Sequence, residues 1–336
     1  KAVSDFGARR AHNMDAAVYG ARASYIGGAA GTATVLAGQM FGIPVSGTMA
    51  HSWVMYYKDE YEAFRHYAEN YPDNTVLLVD TYDTIKSGIP NAIRVAREVL
   101  EPMGKRLKGI RIDSGDLAYQ SIKVRKMLDD AGLTDCKIIV SNSLDEHTIS
   151  SLNMQKARID GYGVGERLIT GASSDYSEDS ISLLGAVYKI AAVEENGGFA
   201  PRIKVSGSVE KITNPGLKKV YRVYDQNGKA KADLIAKADE TIDMSQEFRF
   251  VDPDMPWRNL KFTHCTVRPL QEKIFENGKL VYKLPTLNEI RAYVKKQLDE
   301  EIWEEEQRFV NPHKHYMDMT PDYYDMKMSL LNDSRA

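Results

Sequence analysis

The chain is poor in cysteine. Its 336 residues hold two, Cys136 and Cys265, far apart and outside any Cys-x-x-Cys pair. That excludes a disulfide framework and a zinc knuckle, and makes a reducing cytoplasm the expected setting. Long apolar runs are missing too: no stretch approaches the ~18 residues of a membrane-spanning helix, and none reads as a signal peptide. Nor is positive charge in excess. The 44 Lys and Arg against 47 Asp and Glu leave a net charge of −3, which argues against a nucleic-acid-binding surface. Low-complexity tracts and coiled-coil repeats are absent. Apolar residues are plentiful, at 43%, enough for a sizeable core; the length fits one α/β barrel with an appendage. The chain begins at Lys1 rather than Met and enters strand-like sequence at once, so upstream sequence is expected.

Residues 1–195 alternate short β-branched runs with amphipathic stretches, a β/α unit about every 30 residues, which predicts parallel strands with helical crossovers. An apolar run at Phe41, Ile43 and Val45 is expected as a strand, with a helix opening at His51. Strands are also expected at Thr75–Asp80, Lys108–Asp113, Lys137–Val140, Ile159–Gly165 and Leu183–Val193. Helical periodicity spans Asn91–Leu100 and Leu117–Ala131, with Gly132 as a stop, and Asp145 reads as the cap of a helix through Leu152. After residue 195 the texture changes. Asn196-Gly197-Gly198, Asp225-Gln226-Asn227-Gly228 and Glu276-Asn277-Gly278 are hairpin signals. Residues 196–336 are therefore expected as a mostly antiparallel module, followed by an acidic helix over Leu287–Phe309 whose Glu304-Glu305-Glu306 run reads as solvated.

Parallel β/α folds place their sites at the carboxyl ends of the strands. Read in order, those ends offer Phe6, Arg9 and Arg10; Thr48 and His51; Asp80, Tyr82 and Asp83; Arg111, Asp113, Ser114 and Asp116; Ser141-Asn142-Ser143; and Gly163 with Gly165. Arginines suit carboxylates and phosphates, and glycine loops let backbone N–H groups approach phosphate oxygens. The combination suggests a phosphorylated sugar and an anionic aromatic partner. Each residue alone has a plainer reading: Arg9-Arg10 as a solvated pair, His51 as a residue packed at a helix start, Arg111 as the ion-pair partner of Asp80 or Asp83, the glycines as a tight bend. Their recurrence at equivalent strand ends favours a site.

The blocks Asp5-Phe6-Gly7-Ala8-Arg9-Arg10, Gly47-Thr48-Met49-Ala50-His51-Ser52, Val79-Asp80-Thr81-Tyr82-Asp83, Arg111-Ile112-Asp113-Ser114-Gly115-Asp116, Gly161-Tyr162-Gly163-Val164-Gly165 and Gly185-Ala186-Val187-Tyr188-Lys189, with Asn311-Pro312-His313, resemble the nicotinate phosphoribosyltransferase family, in order and over nearly the whole chain. The resemblance implies an irregular α/β barrel of the type II phosphoribosyltransferases with an additional α+β module, working as a homodimer with shared sites. It implies the condensation of nicotinate with 5-phosphoribosyl 1-diphosphate, coupled to ATP through a phosphohistidine that matches His51, with Mg²⁺ as cofactor. Arg111 matches the arginine that meets the nicotinate carboxylate, Thr48 lies near the nicotinate, Phe6 stacks on its ring with Arg9 beside it, and Thr170 belongs to the phosphoribosyl site. Ser143, Gly163 and Gly165 are expected to bind substrate, Asp80 to orient His51, and Asp113 or Asp116 to support the metal or the ribose, Asp113 as a catalytic residue and Asp116 as a metal ligand. Nicotinamide-using relatives carry an acid in the segment matching Gly31-Thr32-Ala33-Thr34; Ala33 here favours nicotinate. The family's long N-terminal portion has no counterpart in this sequence, so part of the barrel and much of a covering domain would come from elsewhere. A nicotinamide- or quinolinate-using transferase and an inactive nucleotide-binding relative stay open as alternatives.

Overall fold

The computed structural model describes residues 1–172, 186–207, 211–244 and 247–334, and the chain divides into two units, Lys1–Leu184 and Gly185–Ala336. In the first unit, strands β1 (Ala2–Asp5), β2 (Gly31–Thr32), β3 (Val76–Leu78), β4 (Gly109–Ile112), β5 (Lys137–Val140) and β6 (Gly161–Val164) form one sheet in the order β2-β1-β6-β5-β4-β3. Every pairing is parallel, which gives the expected α/β class in the form of a half-barrel. The crossovers carry helices α1 (Met14–Ile26), α2 (Val35–Phe41), α3 (His51–Tyr56), α4 (Glu60–Asn70), α5 (Ile89–Val95), α6 (Leu117–Asp130) and α7 (Glu146–Met154), and α8 (Glu166–Thr170) follows β6.

Strand alternation decides which side chains enter the core. In β4, Ile110 and Ile112 share one face and are fully buried, while Arg111 points to the other. Ile138 and Val140 of β5 join the isoleucines, against Val124 and Leu128 of α6 and Ile89 and Val95 of α5. Each such side chain contributes about 1.5–3 kcal/mol by leaving water. Short polar side chains fix the helix starts: Asn13, Asp59, Asp116 and Asp145 each accept a bond from a first-turn N–H, of α1, α4, α6 and α7. The expected strand over Phe41–Val45 does not form. Phe41 closes α2, Gly42 stops that helix in the left-handed region (φ 70°), and Val45 alone bridges Thr32.

In the second unit, β7 (Ala192–Glu195) and β8 (Gly198–Pro201) form a hairpin through Asn196-Gly197. A six-stranded sheet combines β9 (Lys218–Tyr224), β10 (Ala230–Lys237), β11 (Phe248–Val251), β12 (Asn259–Phe262) and β13 (Thr266–Pro269). After the small hairpin of β14 (Phe275–Glu276) and β15 (Lys279–Leu280) and helix α9 (Leu287–Lys296), β16 (Tyr316–Met319) completes it, and α10 (Pro321–Asp333) follows. The order is β12-β11-β16-β10-β9-β13, antiparallel except where β16 lies parallel to β10. The strand expected over Leu183–Val193 is not seen: residues 183–185, with Gly185 of the sixth motif block, lie outside the described residues, and strand begins only at Ala192.

The acidic helix is also shorter than its periodicity implies. After α9 and one wide turn to Glu301, Ile302 is extended (φ −82°, ψ 138°). Glu301 is buried there, accepting from Tyr224 Oη at 2.6 Å and pairing with Arg268 at 2.9 Å, so a tertiary ion pair ends what the pattern would continue. Glu306 is not solvated either; it meets His315 Nδ1 at 3.0 Å, which on its other side faces Asp233.

These groups titrate in opposing directions. Burial would raise the Asp233 carboxyl, yet the His315 contact and the Arg222 hydrogen bonds prevail and hold it at about 2; the same contact with Asp233 raises His315. Asp318 is buried with no hydrogen bond to either oxygen, and burial, with Asp252 nearby, pushes it up to about 6.

Two outcomes are expected from this packing. A Cβ on Gly88 would lie 1.9 Å from Val79 O, whereas one on Gly47 meets nothing. Denaturant unfolding should show Gly88→Ala losing about 1–3 kcal/mol or more and Gly47→Ala losing well under about 1 kcal/mol. A carboxyl raised by folding contributes stability below its unfolded pKa and loses it as pH rises through the folded value. Asp318→Asn should therefore be neutral near pH 4 and stabilising, on the order of 2 kcal/mol, near pH 7; thermal unfolding at both pH values checks it.

Candidate functional site

The carboxyl ends of β1, β4, β5 and β6 converge on a cavity of about 760 Å³ whose walls include Phe6, Arg9, Thr48, Arg111, Asp113 and Ser143. The core-facing isoleucines of β4 leave Arg111 on this side of the sheet, 15% exposed. Its Nε donates to Ser141 Oγ at 2.8 Å and its Nη1 to Thr48 Oγ1 at 3.0 Å. Nη2 lies 3.1 Å from Asp113 Oδ1, and the guanidinium stands over the Phe6 ring at 5.3 Å. Neither Asp80 nor Asp83 pairs with it. Asp83 instead accepts from the N–H groups of Ile85 and Lys86.

Phe6 is seated by glycine and by a buried acid. A Cβ on Gly163 would lie 2.5 Å from Phe6 Cδ2, so the ring rests directly on the backbone of β6. Asp5, fully buried, accepts from Gly7 N at 2.8 Å and Thr32 Oγ1 at 2.7 Å, which holds the turn bearing Phe6 and Arg9 to the end of β2. Arg9 has no hydrogen bond or ion pair among the described residues, whereas Arg10 is bound by Glu166, Nε to Oε2, at 2.6 Å.

Asp80, just past β3, joins two groups. One oxygen faces His51 Nε2 at 3.2 Å; the other accepts from Asp113 N at 2.8 Å and Ser114 Oγ at 2.7 Å. Its side chain is 2% exposed, that of His51 39%. Asp80 thus lies within hydrogen-bond reach of His51 and is tied to the Arg111–Asp113 pair through Asp113 N.

The structure brings Phe6, Arg9, Thr48, Arg111, Asp113, Ser143, Gly163 and Gly165 around one cavity, with Ala33 beside them, and sets His51 and Asp80 against it through Asp113. It does not bring Asp116 or Thr170 to the cavity wall. Asp116 caps α6 through Tyr119 N at 2.9 Å, and Thr170 Oγ1 donates to Glu166 O at 2.7 Å. Among the described residues no three carboxylate, histidine or cysteine side chains converge as a metal cage. Sequence reasoning gave no role to Asp5, Glu166 or Arg167. The last two follow Gly165 directly, so their position at a strand end was the available signal.

Comparison with known proteins follows this geometry. Residues 1–242 match the nicotinate phosphoribosyltransferase (NAPRTase) family, and residues 217–327 the nicotinate phosphoribosyltransferase C-terminal domain. The chain is 48% identical over 335 residues to nicotinate phosphoribosyltransferase of Bacillus subtilis, covering 99% of this chain and 66% of that protein. It is 34% identical over 387 residues to that of Dictyostelium discoideum, covering 99% and 64%. It therefore spans just under two thirds of the length of these relatives. In structure it resembles human nicotinic acid phosphoribosyltransferase, with a TM-score of 0.78 at 26% identity, covering 100% of this chain and 71% of that one. It also resembles nicotinate-nucleotide pyrophosphorylase of Pyrococcus furiosus, with a TM-score of 0.59 at 26% identity, covering 89% and 66%.

The Arg111–Asp113 pair is largely buried, so removing one partner leaves an uncompensated charge. Arg111→Met should cost about 3 kcal/mol in stability, and Arg111→Met with Asp113→Asn should recover most of it; a double-mutant cycle by denaturant unfolding measures the coupling.

Proposed function

Because this chain belongs to the nicotinate phosphoribosyltransferase family, we propose that the protein carrying it joins nicotinate to 5-phosphoribosyl 1-diphosphate. The products are nicotinate mononucleotide and diphosphate, in the salvage of nicotinate toward NAD. The observation that carries the reading is the Arg111 guanidinium over the Phe6 ring at the cavity wall. A planar cation beside an aromatic face suits a flat aromatic carboxylate. Ala33 in the same wall supports nicotinate over nicotinamide, because no acid repels the carboxylate there.

In this reading the pyridine nitrogen lone pair forms the bond to the sugar C1 as the C1–O bond to diphosphate breaks, and the electron pair leaves with the diphosphate. No strong base is needed; the protein supplies position and charge. Arg111 and Phe6 hold the ring. Asp113, at the sugar side, meets the cationic character that develops at C1. Arg9, with no protein partner among the described residues, is available to phosphate oxygens, as are the backbone groups at Gly163 and Gly165.

His51 is the proposed phosphoryl acceptor from ATP. With Nε2–H donated to Asp80, the Nδ1 lone pair is left to attack phosphorus while ADP departs. Mg²⁺ fits as an ion carried in by the substrates rather than one caged by the protein, since Mg²⁺ is commonly held by one or two carboxylates, waters and substrate phosphates. Asp113 is the carboxylate at the cavity wall that would hold it, whereas Asp116, expected from sequence to support the metal, is engaged as the cap of α6; when bound the ion would neutralise charge on diphosphate. The reading also includes a homodimer and a cytoplasmic location. Two free cysteines, one of them with its thiol pushed up to about 12 by burial, suit a reducing setting, and no helix among the described residues is long and apolar enough to cross a membrane.

The test uses the full-length protein with [γ-³²P]ATP. Acid-labile label should appear, be discharged by nicotinate plus 5-phosphoribosyl 1-diphosphate, and be lost in His51→Ala. Asp80→Asn should slow labelling about 10²-fold or more. Undiminished labelling in Asp80→Asn would remove its orienting role, and discharge by nicotinamide in place of nicotinate would reassign the substrate.

A further inference from the structure

We propose that Ser141 is a positioning residue of this site: its hydroxyl sets the direction in which Arg111 presents its N–H groups to a carboxylate ligand. The inference deepens the reading above and rests on it for the identity of the ligand. Ser141 is the first residue beyond β5 and is 3% exposed. Its N–H donates to Ile112 O at 3.0 Å, which pins its backbone to β4 directly beside Arg111 and Asp113. Immediately after it the chain departs: Asn142 and Ser143 both take positive φ, 95° and 46°, a region unfavourable for residues other than glycine. Ser141 is thus the last side chain of this turn that the sheet fixes. Ser143, the serine expected from sequence to bind substrate, is exposed, and its hydroxyl reaches its own neighbour, Asn142 Oδ1, at 3.3 Å.

A hydroxyl has one hydrogen to donate and lone pairs to accept with. Ser141 donates to Asp113 Oδ1 in a short bond and accepts from Arg111 Nε at 2.8 Å. Both functions are used, so the hydroxyl has a single satisfied orientation, and it locks the acid and the cation to each other. Nε is the one guanidinium nitrogen whose direction is fixed by the side-chain stem. Holding it, with Thr48 on Nη1, stops rotation of the planar group and leaves N–H groups on both terminal nitrogens for a ligand. An alanine at 141 would keep the fold's backbone bond to Ile112 but free Nε, so the guanidinium, still paired with Asp113 through Nη2, would no longer be held at a single orientation.

The experiment compares Ser141→Ala and Ser141→Thr with the wild type in the full-length protein. It measures the steady-state constants for each substrate, direct nicotinate binding by calorimetry, and labelling from [γ-³²P]ATP. Ser141→Ala should weaken nicotinate binding and raise its KM about tenfold or more, leave the KM for 5-phosphoribosyl 1-diphosphate and the labelling of His51 within about twofold, and be rescued by Ser141→Thr, which restores the hydroxyl. Unchanged nicotinate binding in Ser141→Ala, a parallel loss of all three readouts, or a folded Ser141→Thr without rescue would each overturn the proposal. A wild type that binds nicotinate but forms no mononucleotide sinks the transferase reading alone, since binding still tests Ser141. A wild type that does neither overturns both.

Discussion

The Asp80 carboxylate is the constraint on which the site depends. It sits almost fully out of water, and a carboxylate there must have its lone pairs met. One oxygen faces His51; the other takes the N–H of Asp113 and the hydroxyl of Ser114. The first contact aims an imidazole at the head of α3. The second bends the chain beyond β4 so that Asp113 returns toward Arg111. A single buried acid thereby fixes the placement of His51 relative to Arg111 and Asp113, and its desolvation cost is offset by hydrogen bonds from the backbone and hydroxyl beside them.

The same economy governs the sheet. Alternation along β4 assigns Ile110 and Ile112 to the core and Arg111 to the cavity, so the residues that stabilise the strand and the residue that lines the cavity differ by one position. Close approach does the rest. Phe6 packs against the backbone of β6 only because residue 163 has no side chain, and the ring in turn gives Arg111 an apolar face to lie over. Gly163 here serves a contact between an aromatic ring and backbone. A cation held by three oxygens and an aromatic face has little freedom to reorganise when an anion arrives, which is the arrangement electrostatic catalysis requires.

The second unit follows other rules. Its sheet is antiparallel apart from β16, and its polar interior is a mesh of Arg222, Arg268, Asp233, Glu301, Glu306 and His315. The mesh ends α9 early and draws Glu306 inward. Asp318, by contrast, is buried without a hydrogen bond, a polar group whose charge the fold opposes and whose protonation the fold favours.

How much of this was legible beforehand divides along a physical line. Period-2 and period-3.6 patterns, capping residues such as Asp145, and Asn-Gly turns such as that at 196–197 are local, and they announced the parallel β/α succession, the hairpins and the strand ends that bear the site. Asp80, Arg111 and Asp113 could each be named as candidates because strand ends are where such folds expose ionisable groups, and His51 because it opens a helix after an apolar run, although that run forms no strand. The sequence alone could not say that Arg111 pairs with Asp113 rather than with Asp80 or Asp83, because all three acids lie at plausible strand ends and distance in space decides. Nor could it say that Ser141 rather than Ser143 makes the contact, that Asp116 caps a helix away from the cavity wall, or that the acidic helix stops at Glu301. The sequence thus determined which chemistry each strand end offers, through alternation and local propensity; tertiary structure alone decided which of those groups touch, because burial makes each polar atom find a partner and only the packed sheet sets which partner is within reach.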